Sequence, residues 1–467
     1  PTTSFGKIRS LVKQPLLLGI LLTTFISFLN SRNRFGSLSG GALAIAPESA
    51  FELISSYVNS WHPVGLGSSA AAPAWIPIVG IASFITAANP QNFITALFFL
   101  TPTLLFVLSY RTARKYSLTR YSSALVAFIY ALSPVTLTAI NQGRIGTIVI
   151  ALLLPGLFTL LEKNRGLVNL TWRKIFSIVL IAAMAGAFSL LFLLTWTLFH
   201  LSLFIYTYFT SSNWRTRKWQ EILENFDNEE LKKRIALIVT PIFINVPISI
   251  NLLLNPFSAL REPGLSIESA NPISILLFNP GGPSSPGLFV LAPFALYLII
   301  GLISKDKRQS AIVALFAIVF AATLSSYYIE GNSSSAQRIY SGPLIVFAQL
   351  LTLLTIFAIA ERILPQLKRS NFGFRHIASA LTSIVTIASM LSLLIWSVTI
   401  GANSLVRSNQ EQVIPAFITD LANTSERPKT LVIRKSPERL QYFVTRGSDL
   451  QIGQAEVAGF TPEQFHK

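Results

Sequence analysis

The sequence is built from long apolar runs that are separated by short segments rich in lysine and arginine. Runs such as 93–110 and 343–360 contain no charged residue and approach the roughly 20 residues that cross a bilayer as a helix. Only 12% of all residues are charged, whereas soluble domains average roughly 25%. The pattern therefore predicts an all-α polytopic membrane protein.

Basic residues set the orientation of the predicted spans, because lysine and arginine accumulate in cytoplasmic loops. Clusters of these residues precede the first run and occupy 111–120, 163–174 and 362–375. We therefore predict about eleven transmembrane helices, a cytoplasmic N-terminus and an extracytoplasmic C-terminus. The lysines and arginines in the predicted outer loops before residue 401 are only Arg32, Arg34, Arg144, Arg261 and Arg338. The predicted spans are 16–30, 93–110, 122–137, 147–161, two within 175–209, 235–254, 288–303, 311–328, 343–360 and 377–400.

The apolar run 74–88 is interpreted as an interfacial or re-entrant segment. It is only about 15 residues long, which is short for a span. If it crossed the membrane, the bases at 111–120 would lie outside, against the positive-inside rule. Segment 31–92 is therefore predicted to be one large extracytoplasmic loop with interfacial helices.

Two further segments differ from the spans within the polytopic domain, 1–400. Segment 211–234 is predicted to be a cytoplasmic amphipathic helix, because Trp219, Ile222, Leu223 and Phe226 repeat at helical spacing. The remainder, 401–467, is soluble in composition and predicts a small extracytoplasmic α+β tail. Its predicted elements are a helix at 412–421 and a hairpin of strands 430–434 and 441–446.

Composition and missing motifs exclude several classes of chemistry. The net charge is +17, and the basic residues lie between apolar runs. This placement indicates a role in topology and argues against a nucleic-acid partner. The chain has no cysteine and four widely separated histidines, so neither a metal site nor a cofactor is predicted. It also lacks an Asp-x-Asp pair, a phosphate-binding Gly-rich loop and a nucleophile elbow. Because it begins at Pro1, we expect the chain to be a segment of a longer protein.

The candidate site lies in the outer loops, which hold several acids outside the predicted spans. One chemistry that these residues would suit is sugar transfer from a lipid phosphate, which needs a carboxylate that deprotonates the acceptor hydroxyl and a cation near the departing phosphate. Glu48 or Glu52 is the candidate base, and His62 is a candidate proton carrier. Arg144 or Arg338 is the candidate phosphate contact, and Trp61 is a candidate sugar platform.

Each of these residues also has a structural interpretation. Ser49 and Glu52 fit a capping box at the start of a helix, and Glu48 fits a solvated loop. Trp61 fits a membrane-interface anchor, His62 a turn before a proline, and Arg144 a contact with lipid headgroups. The sequence leaves both sets of interpretations open.

Three stretches of the chain carry a resemblance: the first spans 40–75, the second is Gln142-Gly-Arg-Ile-Gly-Thr147, and the third lies in 427–453. They resemble the membrane half of large actinobacterial glycosyltransferases, in which a cytoplasmic family 2 domain precedes a polytopic region. The family pattern has an aspartate where this chain has Glu48, so the carboxylate is kept and lengthened. Within the first stretch the matching runs are Ala46-Pro-Glu-Ser-Ala50 and Ser60-Trp-His-Pro-Val-Gly-Leu-Gly-Ser68.

The resemblance implies a bacterial plasma-membrane protein with a GT-C-like layout and a cytoplasmic glycosyltransferase domain upstream. The leading hypothesis is a membrane glycosyltransferase in cell-envelope polysaccharide or glycolipid assembly, with the bilayer and a lipid-linked sugar or glycan as partners and a polyprenyl-phosphate sugar as donor. A second hypothesis is a non-catalytic anchor or glycan-export channel. A third is a secondary transporter, which the scarcity of ionisable residues in the spans disfavours.

Overall fold

The structure is a computed structural model, and most of the chain in it is helical. It describes residues 14–62, 64, 67–161, 170–210, 229–250, 256–265, 267–283, 285–330, 336–369, 371–399, 405–408, 415–422, 424, 428–435, 440–445 and 451–457. The first half of the chain contains α1 (Pro15–Asn30), α2 (Ala50–Val58), α3 (Trp75–Ala82), α4 (Pro90–Lys115), α5 (Arg120–Ala131), α6 (Pro134–Gln142), α7 (Ile145–Leu160), α8 (Trp172–Phe188) and α9 (Leu190–Thr210). The second half contains α10 (Glu229–Ile244), α11 (Pro272–Leu276), α12 (Leu288–Ile303), α13 (Arg308–Ser325), α14 (Gly342–Leu367), α15 (Phe374–Thr399), α16 (Ala416–Ala422) and α17 (Gln454–Val457).

Strands are short and form three two-stranded antiparallel pairs within the described residues. β1 (Leu38–Ser39) pairs with β4 (Arg407–Ser408), which joins the large loop to the segment after α15. β2 (Tyr328–Glu330) pairs with β3 (Ala336–Arg338), and β5 (Thr430–Lys435) with β6 (Leu440–Thr445). The last pair lies where the sequence predicts a hairpin.

Within the described residues, five helical stretches are long and apolar enough to cross a membrane. They confirm a helical membrane protein, while the total of about eleven spans stays a prediction. Five shorter apolar helices, including α1 and α7, accompany them. The five long stretches are Pro90–Lys115, Arg120–Gln142, Arg308–Ser325, Gly342–Leu367 and His376–Thr399.

Local signals place the helix boundaries. The side chain of Asn89 caps α4, and that of Ser133 caps α6, each followed directly by a proline; such caps satisfy the first free N–H groups of a helix. Ser189 separates α8 from α9, and its hydroxyl accepts the N–H of Phe192 at 3.3 Å. The run 175–209, predicted to hold two spans, is thus divided into two helices at this residue.

The helix bundle packs closely through small residues. On α13, Ala311, Ala314 and Ala321 are buried at spacings that share one helical face. A Cβ added at Gly19 of α1 would lie 1.9 Å from the ring of Phe106, so this ring packs directly onto the α1 backbone. Small side chains allow such close helix contacts where lipid supplies no hydrophobic driving force.

The connections gather at two opposite ends of the bundle. At one end Ala42 donates to the carbonyl of Gln142 at 2.8 Å, and Leu265 donates to that of Ala42 at 2.9 Å. At the other end Glu361 accepts the N–H of Thr119, and Arg362 pairs with Asp306. We call the first end the loop cluster, which comprises residues 36–46, 141–147, 260–265, 267–283, 338–343, 405–408 and 451–457. All loops in it were predicted to be extracytoplasmic.

The run 74–88 forms α3 and a 3₁₀ turn, Ser83–Thr86. Together these elements span about 20 Å, at roughly 1.5 Å per α-helical residue and 2.0 Å per 3₁₀ residue, well short of a roughly 30 Å hydrocarbon core. The pair packs beside α2, and Ala50 donates its N–H to the carbonyl of Ala88 at 2.8 Å. The predicted amphipathic helix falls largely on 211–228, outside the described residues.

Candidate functional site

A small pocket opens at the surface of the loop cluster. Its wall combines one carboxylate, one cation and three hydroxyl groups with backbone and apolar surface. Such a mixture of a few polar groups in a concave site is typical of ligand-binding pockets. The lining residues are Gly146, Thr147, Ser189, Leu191, Leu260, Arg261, Glu262, Pro263, Tyr340 and Pro343.

Three helices begin at this pocket. Gly146 and Thr147 lie in the first turn of α7, Leu191 in that of α9, and Pro343 in that of α14. The first N–H groups of a helix lack intrahelical acceptors and carry the positive end of the helix dipole. The pocket wall is therefore electrostatically suited to an anion, such as a phosphate.

Arg144 lies beneath the pocket and is fully buried, with 0% of its side chain exposed. Its Nη1 pairs with Oε2 of Glu262, and its Nε donates to Oε1 of Gln142 at 2.7 Å. Its Nη2 donates to the carbonyl of Glu268 at 2.8 Å, and its Cζ lies 3.7 Å from the ring centroid of Tyr340. Every guanidinium nitrogen is thus engaged by protein, which favours a supporting role over direct contact with a substrate.

Glu262 is the carboxylate of the pocket. Its side chain is 12% exposed, and its Oε1 is buried without a hydrogen-bond partner in the described part of the chain. Burial raises the pKa of Glu262 to about 7, and the charge and hydrogen bond of Arg144 oppose that rise. A carboxyl group that titrates near neutrality with one free oxygen is suited to accept a proton.

The turn between α6 and α7 positions Arg144. Gly143 ends α6 with φ 75°, and a Cβ there would lie 2.8 Å from the backbone nitrogen of Leu43. Gln142 donates through Nε2 to the carbonyls of Gly281 and Pro283, both at 3.0 Å. The turn is thus fixed from two sides, by the large loop and by the proline- and glycine-rich loop before α12.

Thr147, Tyr340 and Arg261 also line the pocket. The hydroxyl of Thr147 donates to the hydroxyl of Tyr340 at 3.4 Å. Burial raises the pKa of Tyr340 to about 12, so the phenol stays protonated and serves as a neutral hydrogen-bonding group. Arg261 lines the same pocket and is exposed, so it is the cation within reach of a ligand.

Glu48 and Glu52, the predicted bases, have exposed side chains outside the lining of this pocket. Glu52 lies in the first turn of α2, where the hydroxyl of Ser49 accepts the N–H of Phe51 at 3.3 Å. Ser49 therefore caps the helix, as the structural interpretation of this stretch predicts. The catalytic assignments of Glu48 and Glu52 stay predictions.

His62 and Trp61 lie in the same loop. The backbone of His62 exchanges hydrogen bonds with that of Ser68, at 2.8 and 2.9 Å. Burial lowers the pKa of His62, and its Nε2 has no partner among the described residues. Trp61 is 59% exposed, and its ring packs against Gly67, where a Cβ would lie 2.1 Å away.

Arg338, the second predicted phosphate contact, lies beside the site at the end of β3. Its Nη1 donates to the carbonyl of Ser325 at 3.2 Å, and its Cζ lies 4.8 Å from the ring centroid of Tyr328. Its carbonyl accepts the hydroxyl of Ser269 at 3.0 Å, next to Glu268, whose carbonyl binds Arg144. The structure thus joins Arg144 and Arg338 through one loop.

Glu262 is not among the site residues predicted from the sequence. The one signal that could have found it is its place beside Arg261, an adjacent acid and base in an outer loop that is otherwise poor in charge. Among the described residues, no group of three or more histidines, aspartates or glutamates could hold a metal ion.

The architecture is similar to that of the arabinofuranosyltransferase AftD from Mycobacteria, with a TM-score of 0.52 and 14% sequence identity over 87% of this chain. A structure of an AftD mutant gives a TM-score of 0.51 and 15% identity, also over 87%. The fold is of the GT-C type. This chain spans 28% of the length of AftD.

The archaeal oligosaccharyltransferase AglB from Archaeoglobus fulgidus, solved with an inhibitory peptide and a dolichol-phosphate, gives a TM-score of 0.48. Its identity is 13%, over 88% of this chain and 58% of AglB. No protein-family model matches the chain, and no curated protein sequence matches it significantly. At these identities the GT-C likeness establishes a fold, and function has to be argued from the site.

Proposed function

We propose that this chain is a membrane glycosyltransferase that transfers a sugar from a polyprenyl-phosphate donor to a glycan or glycolipid of the cell envelope. The observation that carries the proposal is the pocket in the loop cluster, whose lining combines residues from the starts of three helices with Arg261 and Glu262. The GT-C fold, shared with a sugar-transferring enzyme, supports the same class of reaction.

In the proposed reaction the acceptor hydroxyl oxygen bonds to the anomeric carbon of the donor sugar. The bond between that carbon and the phosphate oxygen breaks, and the polyprenyl phosphate leaves with the electron pair. Glu262 takes the proton of the acceptor hydroxyl through Oε1. The N–H groups at the starts of α7 and α9, with Arg261, stabilise the negative charge of the leaving phosphate.

Arg144 has a positioning role in this scheme. It holds Oε2 of Glu262 and leaves Oε1 free, so it orients the base without meeting the substrate. Its charge also keeps the carboxylate from rising further in pKa. Glu48, whose side chain is exposed, is the alternative base.

The wider setting is also part of the proposal. The loop cluster faces the outside of a bacterial plasma membrane, with about eleven spans, a cytoplasmic N-terminus and an extracytoplasmic tail. The separation of the basic connections from the loop cluster supports this orientation. A cytoplasmic family 2 glycosyltransferase domain precedes the chain, as the sequence resemblance implies.

A transfer assay in lipid nanodiscs tests the function. The donors are radiolabelled sugars on a short polyprenyl phosphate, offered with envelope glycan acceptors. We expect transfer by the unchanged protein and a loss of about 100-fold or more in Glu262→Gln, since a general base contributes roughly 10²–10⁴-fold. Glu361→Gln, which changes a carboxylate at the opposite end of the bundle, should keep the rate.

Two outcomes would contradict the proposal. Equal rates in Glu262→Gln and the unchanged protein, with a loss in Glu48→Gln, would move the base to the large loop. Failure of every donor, while the chain still supports glycan export or retention in cells, would favour the anchor or export channel.

A further inference from the structure

The segment 451–457 packs into the loop cluster beside the candidate site. Ile452 donates its N–H to the carbonyl of Ile45 at 3.0 Å, and Ile452 and Val457 are buried. Gly453 has φ 83°, and a Cβ there would lie 2.0 Å from Cδ1 of Ile76. Glycine thus allows this segment to approach α3, and the segment is seated on the large loop and on α3 together.

The short helix α17 presents a carboxylate to the loop that carries Glu262. Oε1 of Glu456 accepts the N–H of Gly264 at 2.7 Å, across 192 residues of sequence. Gly264 follows Glu262 by two positions and has φ 89°, and a Cβ there would lie 2.2 Å from the carbonyl oxygen of Ala42. The next residue, Leu265, donates to that same carbonyl. Residues 264–265 are therefore held by the tail on one side and by the large loop on the other.

We infer that Glu456 is a positioning residue of the candidate site, because its hydrogen bond to Gly264 fixes the backbone that presents Glu262 to the pocket. The functional consequence rests on the proposed function of Glu262, while the link itself belongs to the fold. Hydrogen bonds from a carboxylate to a backbone N–H are stronger than neutral ones. A displacement of about 1 Å at a catalytic group costs on the order of 100-fold in rate.

The chemistry of Glu456 separates positioning from proton transfer. Burial raises the pKa of Glu456, and hydrogen bonds from the N–H of Gly264 and from the side chain of Trp75 oppose that rise. A glutamine at this position keeps an oxygen that accepts the N–H of Gly264 and loses the ability to take a proton. The Glu456→Gln variant therefore retains the link.

Hydrogen exchange measured by mass spectrometry tests the link without any assay of activity. We expect amides in 260–265 to exchange about tenfold faster in Glu456→Ala and at the unchanged rate in Glu456→Gln. The matched control is Glu361→Ala, which removes a comparable bond, 2.6 Å to the N–H of Thr119, at the opposite end. It should leave exchange in 260–265 unchanged. If the alanine variant fails to fold, Glu456→Asp shortens the side chain and should give the same local increase.

Transfer rates then separate this inference from the proposed function. Glu456→Ala should lower kcat by about tenfold and move the acidic limb of the pH profile below that of the unchanged protein, because Glu262 gains solvent. Glu456→Gln should restore both. Faster exchange in Glu456→Ala with an unaltered transfer rate would confirm the hydrogen bond between Glu456 and Gly264. It would also show that Glu262 takes no part in the reaction. Unchanged exchange in Glu456→Ala and Glu456→Asp, or equal loss of protection in Glu456→Gln, would overturn the inference.

Discussion

At the scale of single residues, the site depends on one buried ion pair between distant parts of the chain. Arg144 and Glu262 are separated by 118 positions, and Arg144 is fully buried. A buried charge is tolerated only when it is paired and its remaining donors are satisfied. The bonds to Gln142 and to the carbonyl of Glu268 meet that condition.

The pH dependence of transfer follows from Glu262. Its folded pKa, about 7, lies above the ordinary value of 4.5, and a general base acts in its ionised form. We therefore expect kcat/KM to rise with pH through about 7 and to level above it. Because the folded state holds the proton more tightly, this group's contribution to stability falls as pH rises between the two values. A rise of kcat/KM centred near pH 4.5 would contradict the role of Glu262 as the base.

The geometry of Arg144 predicts the effect of Arg144→Lys. Lysine keeps the charge but lacks the planar fork that reaches three partners at once. We expect a loss of about 1–3 kcal/mol in the free energy of unfolding, from buried acceptors left unpaired. Arg362→Lys is the control, since the pair of Arg362 with Asp306 is exposed and such pairs contribute little. Equal thermal stability of the two variants in detergent would contradict the account.

The sequence points to Arg144, because it is an arginine in an outer loop beside a predicted membrane span. It does not point to Glu262, because no periodicity or spacing relates residues 144 and 262. The sequence predicts Glu48 and Glu52 as bases from their neighbours along the chain, whereas the pocket is assembled from residues that meet only in the fold.

At the scale of elements, helix boundaries follow from hydropathy and capping residues. Ser133 and Ser189 end or begin helices as the local sequence indicates. The turn from α6 to α7 depends instead on one glycine that approaches a distant backbone, Gly143 beside Leu43. Such contacts arise from tertiary packing, so the sequence shows the glycine without showing its neighbour.

Substitution of Gly143 tests that turn. Gly143→Ala combines positive φ with contacts of 2.7–2.9 Å to residues 40 and 43, and we expect a loss of about 1–3 kcal/mol in stability. It should also lower transfer, because Arg144 is the next residue. Gly287→Ala is the control, since a Cβ there meets nothing within 4 Å. Similar unfolding temperatures for both variants would show that the turn is not constrained as described.

At the scale of the whole molecule, connections of two kinds separate to two ends of the bundle. Loops poor in bases meet in the loop cluster, while Glu361, Arg362 and Asp306 meet at the other end. The distribution of charged residues along the sequence therefore indicates which loops lie at the same end of the bundle. It could not predict that the segment 451–457 would reach Gly264, since one hydrogen bond leaves no pattern in sequence.

Cysteine labelling tests the orientation, and the chain suits it because it has no cysteine. Glu268→Cys lies in the loop cluster and Lys305→Cys at the opposite end, and both side chains are exposed. A membrane-impermeant maleimide should label the first in intact cells and the second only after lysis. The reverse pattern would place the loop cluster in the cytoplasm.

The location of the donor phosphate decides whether the pocket beside Glu262 is the site of transfer. A cryo-EM structure with a non-transferable polyprenyl-phosphate sugar analogue would measure it. The account predicts the phosphate within hydrogen-bond distance of the backbone at Gly146 and Thr147 and of Arg261, with the anomeric carbon facing Glu262. A phosphate held instead beside Glu48 and His62 would contradict it.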